Sequence, residues 1–281
     1  MQVVASEGPR AATEITSRLA RGFDLVVAAG GDGTVREVAT GLVRGGHRAA
    51  LGILPMGTGN DVAQLAGVPT DDAFLEAVRR FQIAAWDGIQ VESTGGASLV
   101  EPEVGVLFAA VGFAGELLRH TTPRVVRWFG SRYCYSIGFF RALLTYRPAQ
   151  VRVTGEGRLI SGPLLLACAA NAPHAGGGVM KLAPGARMND GRLNLTVIRQ
   201  VSPLSALRQF PALLRGTHIR DPRVDYFEGV ALDIESDRPV PVAIDGDLVG
   251  VTPARFSVLP GRISVLRGSA SATGDRLRNE S

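Results

Sequence analysis

Apolar positions in the first 80 residues alternate between helical spacing and short continuous runs. Val3–Ser6 is long enough to close a short strand. The runs Asp24–Ala29 and Ala49–Leu54 are uninterrupted, which is typical of parallel strands buried on both faces. Helical spacing is found at Ala11–Ala20, Thr34–Val43, Asn60–Leu65 and Asp71–Phe81. Strands that alternate with helices predict an α/β layered sheet in an N-terminal domain of residues 1–86.

After Phe81 the apolar runs are mostly of strand length, and the pattern predicts a β-rich C-terminal domain over residues 87–267. The predicted strands are Ile83–Val91, Val104–Ala110, Gln150–Val153, Leu159–Ala167, Leu193–Val197 and Val230–Ile234. Two helical stretches, Arg127–Thr145 and Pro203–Leu214, interrupt them. We expect the last strands to return to the first domain, and the polar tail of residues 268–281 to be disordered.

The composition narrows the class of protein. The chain has 281 residues, 46% of them hydrophobic, with 30 Lys+Arg, 26 Asp+Glu and a net charge of +4. Its two cysteines, Cys134 and Cys168, exclude a disulfide scaffold and a metal finger. No apolar run has the length of a spanning helix or a signal peptide. We therefore expect a cytoplasmic globular protein that does not bind nucleic acid.

A glycine-rich loop, Gly30–Thr34, lies between the first buried strand and a helix. Glycines there let the backbone approach a ligand, and the amides at the start of the helix favour a phosphate. An ordinary strand-to-helix turn would also need glycine, so this loop alone decides nothing. It matches neither the GxxxxGK[ST] nor the GxGxxG nucleotide signature.

A second loop, Pro55–Asp61 (PMGTGND), also follows a buried strand and opens a helix, 25 residues further on. The chain resembles the diacylglycerol kinase catalytic family, the soluble bacterial lipid kinases. Four motifs carry the resemblance in order: GGDGT at Gly30, PMGTGND at Pro55, the stretch from Asn171 through HAGGGVM to the Asn-Asp-Gly at Asn189, and Asp-Gly-Asp at Asp245. It implies an NAD kinase/diacylglycerol kinase-like fold, with the active site in the cleft between the two domains.

The resemblance also implies a binding site for ATP, the expected cofactor together with Mg²⁺. The residues implied in nucleotide binding are Ser6, Gly30, Gly31, Asp32, Gly33, Thr34, Val35, Arg36, Gly57, Thr58, Asn60 and Asp61. Ser6 would serve equally well as a helix N-cap, and Asp32 as a cap of the helix predicted from Thr34. Asp32 is also a candidate to hold nucleotide-bound Mg²⁺ indirectly.

The family's proton acceptor is the last residue of a DGE triplet, which here is Asp247. Aspartate is one methylene shorter than glutamate, which moves the carboxylate by about 1.5 Å. Asp245 is therefore a candidate to share the role, and Asp32 completes the catalytic set. Asp-Gly is also ordinary hairpin chemistry, so a tight turn from Ala243 to Val249 is the structural alternative.

A structural Mg²⁺ site is implied around Asn189-Asp190-Gly191. By resemblance, the Asp190 carboxylate and the carbonyls of Arg187 and Arg192 would bind the ion, a donor set of hard oxygens. Asp87, at the start of the second domain, is either a member of the active-site carboxylate network or a surface residue. Family members usually open with a strand and an Asn-Pro loop upstream, and we expect restored upstream residues to raise activity and stability.

The segment Leu117–Gly155 is a candidate membrane face. It contains no acidic residue and seven arginines, so the rest of the chain has a charge of 4 − 7 = −3. Seven of the 17 aromatic residues lie between Trp128 and Tyr146. Mixed arginines and aromatic rings suit an anionic membrane surface, although a core helix with a wet arginine face fits as well.

The leading hypothesis is an ATP-dependent kinase that phosphorylates diacylglycerol or a related lipid alcohol. An NAD kinase-like phosphotransferase shares the first loop, but the second loop favours the lipid kinases. A catalytically impaired lipid-binding homologue is the third hypothesis, motivated by the missing upstream motif and by aspartate at position 247. The acceptor lipid and the existence of a homodimer are left open.

Overall fold

The structure is a computed structural model that describes residues 1–95, 102–120, 138 and 141–268. Its helices are α1 (Ala11–Leu19), α2 (Asp32–Arg44), α3 (Asp61–Ala66), α4 (Asp71–Arg80), α5 (Phe113–His120) and α6 (Pro203–Arg215); residues 141–145 are also helical. Its strands are β1 (Leu25–Gly30), β2 (Ala50–Pro55), β3 (Gln82–Gly95), β4 (Glu103–Gly105), β5 (Phe108–Gly112), β6 (Gln150–Gly155), β7 (Arg158–Ala170), β8 (Leu193–Arg199), β9 (Val224–Gly229), β10 (Ala231–Ser236), β11 (Pro241–Ile244) and β12 (Asp247–Arg267). None of the helices in these ranges is both long and apolar enough to cross a membrane.

The N-terminal part is the predicted α/β layer. β1 and β2 are parallel, from Leu25 opposite Ala50 to Gly30 opposite Pro55. Both strands therefore end at the same level, and the two glycine loops start side by side at one sheet edge. Val35, Val38 and Leu42 on α2 are buried against Leu51 and other residues of this layer.

The C-terminal part is the predicted β-rich layer. β10, β6, β7, β5 and β11 follow one another by antiparallel pairing, and β8 and β9 extend from β7. Their inward side chains form a second core with Val153, Leu195, Leu232 and Ile244, which are all nearly inaccessible to solvent. The architecture confirms an α/β N-terminal part and a β-rich C-terminal part, as the apolar pattern predicted, while the domain boundary at residues 86 and 87 remains a prediction.

Two long strands join the layers. β3 and β12 are antiparallel from Gln82 opposite Arg267 to Gly95 opposite Val251, with register shifts on the way. The far end of β12 lies parallel to β2, where Val265 pairs with Leu51. One strand thus contributes Phe256 to the second core and Val265 to the first.

Two sequence predictions are wrong. Val3–Ser6 is exposed and forms no strand. Among the described residues, β1 pairs with β2 alone, so no strand from this segment lies on its other side. Val104–Ala110 is not one strand but β4 and β5, separated at Val106 and Leu107. Their amides bind the Asp245 side chain instead of a neighbouring strand, which ends the ladder there.

Candidate active site

The two glycine loops touch through their backbones. Met56 N donates to the Gly30 carbonyl over 3.0 Å. A Cβ on Gly31 would lie 3.2 Å from the Gly57 Cα, and one on Gly57 would overlap Gly31. At the start of α2, a Cβ on Gly30 would overlap the Thr34 side chain, and Val35 is buried. Glycine is needed at these positions because a Cβ on Gly31 or Gly57 would push the two loops apart, and one on Gly30 would overlap Thr34.

Asp32 links the first loop to the start of α3, and Asn60 closes the second loop. Asp32 is the first residue of α2, so the alternative in which it caps that helix is wrong. Its Oδ1 instead accepts a hydrogen bond from Val62 N over 3.0 Å, at the start of α3. Burial raises the pKa of Asp32, and the Val62, Asp61 and Asn60 amides act against this. Asn60 closes the second loop, since its side chain accepts from Gly57 N and donates to Gly57 O.

Thr58 and Ser6 differ in their relation to this site. Thr58 is exposed in the second loop and lines the cavity described below. Ser6 is exposed in the irregular segment before α1 and lines no cavity described here. The nucleotide role of Ser6 remains a prediction.

Asp61 fastens a third glycine segment to the second loop. It is 3% exposed, and its two oxygens accept hydrogen bonds from Gly177 N (2.9 Å) and Gly178 N (2.6 Å). Gly176, Gly177 and Gly178 have φ values of 72°, 73° and 76°, a run of left-handed backbone that favours glycine. The HAGGGVM stretch noted in the sequence is thereby held beside the second loop.

Asp245 lies in the hairpin loop between β11 and β12, and Asp247 is the first residue of β12. Ile244 pairs with Asp247, so the loop is Asp245-Gly246, with φ values of 47° and 96°. The tight turn predicted as an alternative is therefore present. Asp245 is buried and accepts hydrogen bonds from Val106 N, Leu107 N and Phe108 N at 2.6–2.9 Å. Burial raises its pKa to about 6, although these amides and Arg36 oppose the shift.

The side chain of Asp247 is 49% exposed, in contrast to that of Asp245. Its Oδ2 accepts from Arg36 Nε (3.3 Å) and Nη2 (3.1 Å) and lies close to Gly33. Arg36 is buried and also contacts Glu103, a buried carboxylate that the sequence reasoning missed. A charged residue directly before the apolar run at Val104 was the only available signal.

The implied metal ligands occupy an exposed turn. Arg187, Asp190 and Arg192 are exposed, and Asp190 Oδ1 accepts a hydrogen bond from Arg192 N over 3.0 Å. Asp87 is buried, which excludes the surface alternative. It accepts from Gly191 N and Gly261 N, both at 2.7 Å. Within residues 1–95, 102–120, 138 and 141–268, no group of three or more His, Cys, Asp or Glu side chains is arranged to hold a metal ion.

A cavity of about 390 Å³ connects the glycine loops to the second layer. One end is polar and is formed by the first and second loops with Asp245 and Asp247. The rest is apolar and includes Phe113, Leu166 and Leu213. A molecule that fills this space would have one polar end and an apolar portion.

About half of the predicted membrane face, residues 121–137 and 139–140, lies outside the described residues. Arg124, Arg127 and Arg132 belong to that part, as do the aromatic residues Trp128, Phe129, Tyr133, Tyr135, Phe139 and Phe140. Leu117 and Leu143, from the same segment, line the apolar part of the cavity.

Comparisons with known proteins agree on the two layers. Residues 1–91 match the model of the diacylglycerol kinase catalytic domain, and residues 112–267 match that of the YegS C-terminal NAD kinase beta sandwich-like domain. A diacylglycerol kinase of Mycobacterium tuberculosis (strain CDC 1551 / Oshkosh) is 30% identical over 95% of this chain and 84% of its own. A diacylglycerol kinase of Bacillus subtilis (strain 168) is 28% identical over 88% of this chain and 78% of its own.

Solved structures show the same fold. A crystal structure of a diacylglycerol kinase from Bacillus anthracis str. Sterne, described as putative, superposes with a TM-score of 0.76 at 21% identity, covering 95% of this chain and 84% of the other. An NAD kinase from Archaeoglobus fulgidus in complex with ATP superposes with a TM-score of 0.52 at 11% identity, covering 96% and 84%. At these identities the structural likeness establishes the fold alone.

Proposed function

Because the chain belongs to the diacylglycerol kinase family and is therefore a phosphotransferase, we propose that it transfers the γ-phosphoryl group of ATP to the hydroxyl of diacylglycerol or a related lipid alcohol. The observation that carries the proposal is the cavity, which joins two glycine loops and a half-exposed carboxylate to an apolar interior. The loops suit a nucleotide phosphate, and the interior suits acyl chains.

The ATP phosphates would lie against the loop that begins at Gly30. There the Gly31 and Gly57 backbones approach so closely that a Cβ would intrude, and the loop leads directly into the amino end of α2 at Asp32. The amides and the helix dipole favour negative charge at this place. Thr58 is exposed in the second loop, where its hydroxyl is available to the same phosphates.

Asp247 would accept the proton of the lipid hydroxyl. The lipid hydroxyl oxygen forms a bond to the γ-phosphorus while the bond to the bridging oxygen breaks, ADP leaves, and the hydroxyl proton passes to the carboxylate. Asp245 is buried and its oxygens are bound to three amides, so in this proposal it orders the turn between β4 and β5 rather than sharing the proton.

Mg²⁺ remains part of the proposal. Asp32 Oδ1 is engaged by Val62 N, so Oδ2, which faces Gly59, would hold the nucleotide-bound ion indirectly. The turn at Asp190, with the carbonyls of Arg187 and Arg192, would hold a second ion, since its donors are hard oxygens. When bound to the nucleotide, Mg²⁺ supplies positive charge that stabilises the phosphate oxygens in the transition state.

Contact with an anionic membrane is also proposed. The cavity must receive a lipid, and α6 lines it with Phe210 and Leu213 while Leu204 and Leu207 are 57% and 41% exposed. No residue of α6 is buried, and the helix contains two arginines but no acidic residue. These features suit a helix at a lipid surface.

The test is a transfer assay with radiolabelled ATP and a panel of diacylglycerol, ceramide, sphingosine, phosphatidylglycerol and NAD. We expect transfer to a lipid alcohol, and a loss of kcat/KM of roughly 100-fold or more in Asp32→Ala, Thr58→Ala and Asp247→Ala. Asp71→Ala, on the exposed start of α4, is the matched control and should retain activity. Transfer to NAD alone would refute the lipid proposal.

A further inference from the structure

Glu103 is the most deeply buried carboxylate at the edge of the site. It is 1% exposed and begins β4. Three guanidinium groups surround it: Oε2 lies 3.0 Å from Arg36 Nη1, and Oε1 lies 3.3 Å from Arg10 Nε and 3.4 Å from Arg44 Nη2. A carboxylate taken out of water needs such partners, and three positive groups are more than its own charge requires.

Arg36 connects this carboxylate to the site. Its side chain is 6% exposed, with Nη1 directed to Glu103 and both Nε and Nη2 directed to Asp247 Oδ2. The planar guanidinium has a fixed fork geometry, so fixing one side of it orients the other. Glu103 therefore sets the direction of the two bonds that Arg36 makes to Asp247.

Asp247 is held by one oxygen only. Oδ2 accepts both Arg36 bonds, whereas Oδ1 has no hydrogen bond with any residue of the described ranges. The side chain is half-exposed at the end of a hairpin, where a short carboxylate without support would sample several rotamers. The Arg36 bonds occupy only Oδ2, and Asp247 is one of the residues that line the polar end of the cavity.

We propose that Glu103, acting through Arg36, is a positioning residue that fixes the Asp247 carboxylate for proton transfer. The proposal rests on the proposed function of Asp247 as proton acceptor. Its physical basis is geometric, because a displacement of about 1 Å at a reacting group can cost about 100-fold in rate. We call the chain of contacts from Glu103 through Arg36 to Asp247 the relay. It holds the Asp247 carboxylate in place, which a side chain shorter than glutamate needs at this position.

Three variants and a control test the relay. Glu103→Gln removes the charge at nearly constant shape, Arg36→Lys keeps a positive charge without the fork, and Arg36→Gln removes both. Glu76→Gln is the control, because Glu76 pairs with Arg80 over 2.7 Å on the exposed surface of α4. We expect kcat to fall roughly 10- to 100-fold in Glu103→Gln, with KM for ATP within a factor of two of wild type. Arg36→Lys should retain more activity than Arg36→Gln, and the control should match wild type.

A double-mutant cycle separates positioning from a merely structural role. If Glu103 acts through Asp247, then Glu103→Gln should change the residual kcat of Asp247→Ala by less than a factor of two. An equal tenfold loss in both backgrounds would overturn the proposal, as would wild-type kcat in folded Glu103→Gln. If the melting temperature shows that Arg36→Gln does not fold, Glu103→Gln and Arg36→Lys provide the test.

A measurement independent of turnover distinguishes failure of the relay from failure of the proposed function. The Arg36 Nε–H resonance should exchange slowly with solvent in wild type and at least tenfold faster in both Glu103→Gln and Asp247→Ala. An unchanged exchange rate in both variants would overturn the relay even if the kinase is active. If wild-type protein phosphorylates no member of the acceptor panel, the proposed function fails, and this exchange measurement still decides whether Glu103 and Arg36 fix Asp247.

Discussion

At the scale of single residues, His218 presents an unusual environment. It is 4% exposed in the 3₁₀ turn after α6, and neither ring nitrogen makes a hydrogen bond of good geometry within the part of the chain that the structure describes. Burial lowers its pKa below 6.5, and the Leu182 backbone opposes the shift only in part. The neutral imidazole is therefore the form that the fold accommodates.

This environment predicts an acid-sensitive contribution to stability. Below about pH 6.5 the unfolded chain protonates His218 while the folded chain resists it, so the unfolded state binds more protons and the free energy of unfolding falls as the pH falls. The difference between wild type and His218→Leu should change by roughly 1 kcal/mol between pH 7 and pH 5.5, measured by urea denaturation at each pH. Equal pH slopes in both proteins would contradict this.

Comparison with the variant is necessary because Asp245 contributes in the opposite direction. Its pKa is raised to about 6 in the fold, so its contribution to stability falls as the pH rises from about 4 to about 6. This contribution is common to wild type and His218→Leu, and it cancels in the difference.

The sequence identified residues whose role follows from a local motif. It did not identify residues whose role depends on partners far away in the sequence. The glycine loops and the Asp-Gly-Asp hairpin were identified from a few consecutive residues. Glu103 meets Arg36 across 67 positions, and Arg36 meets Asp247 across 211. No local pattern encodes such pairs, because the fold alone brings them together.

At the scale of elements, the apolar pattern predicted helices and buried strands within a few residues of their ends. The prediction failed between β4 and β5, where the backbone amides donate to the Asp245 carboxylate instead of to the backbone of a neighbouring strand. It also missed α5, β9, β11 and β12, and β12 contains Pro260 and Gly261 and shifts register beside them. Proline and glycine normally indicate the end of a strand.

The helix α6 gives a prediction at this scale. Leu204 and Leu207 are exposed on a helix that otherwise lines the apolar cavity. Leu204→Ser combined with Leu207→Ser should weaken cosedimentation with vesicles that contain phosphatidylglycerol by roughly tenfold, because two exposed apolar side chains no longer enter the lipid. Leu75→Ser, an exposed leucine on α4, serves as the control. Unchanged cosedimentation of the double variant would exclude α6 as the membrane contact.

At the scale of the whole molecule, β3 and β12 make the two cores interdependent. Phe256 is fully buried in the second core, and Val265, nine residues further along β12, is fully buried in the first. A loss of β12 from either layer therefore removes a central strand from the other. The two layers should therefore unfold together, although one alternates helices with strands and the other consists mostly of strands.

Phe256→Ala tests this coupling. The cavity it leaves should lower the free energy of unfolding by about 3–5 kcal/mol. Hydrogen exchange should show the backbone amides of β1 and β2, in the other layer, losing protection to the same extent as those of β10. Ser257→Ala, at the neighbouring and partly exposed position, is the control. Protection that remains at wild-type level in β1 and β2 would indicate independent layers.

The position of β12 after the other eleven strands described has a consequence for biosynthesis. As the nascent chain leaves the ribosome, β1, β2 and the loop at Gly30 emerge early, but β12, the second strand that pairs with β2, emerges after the other eleven strands described. The first layer must therefore wait, incompletely paired, until β12 has been synthesised. The same strand begins with Asp247, so the proposed proton acceptor and the completed nucleotide layer are delivered together. A translation product that stops before β12 lacks both.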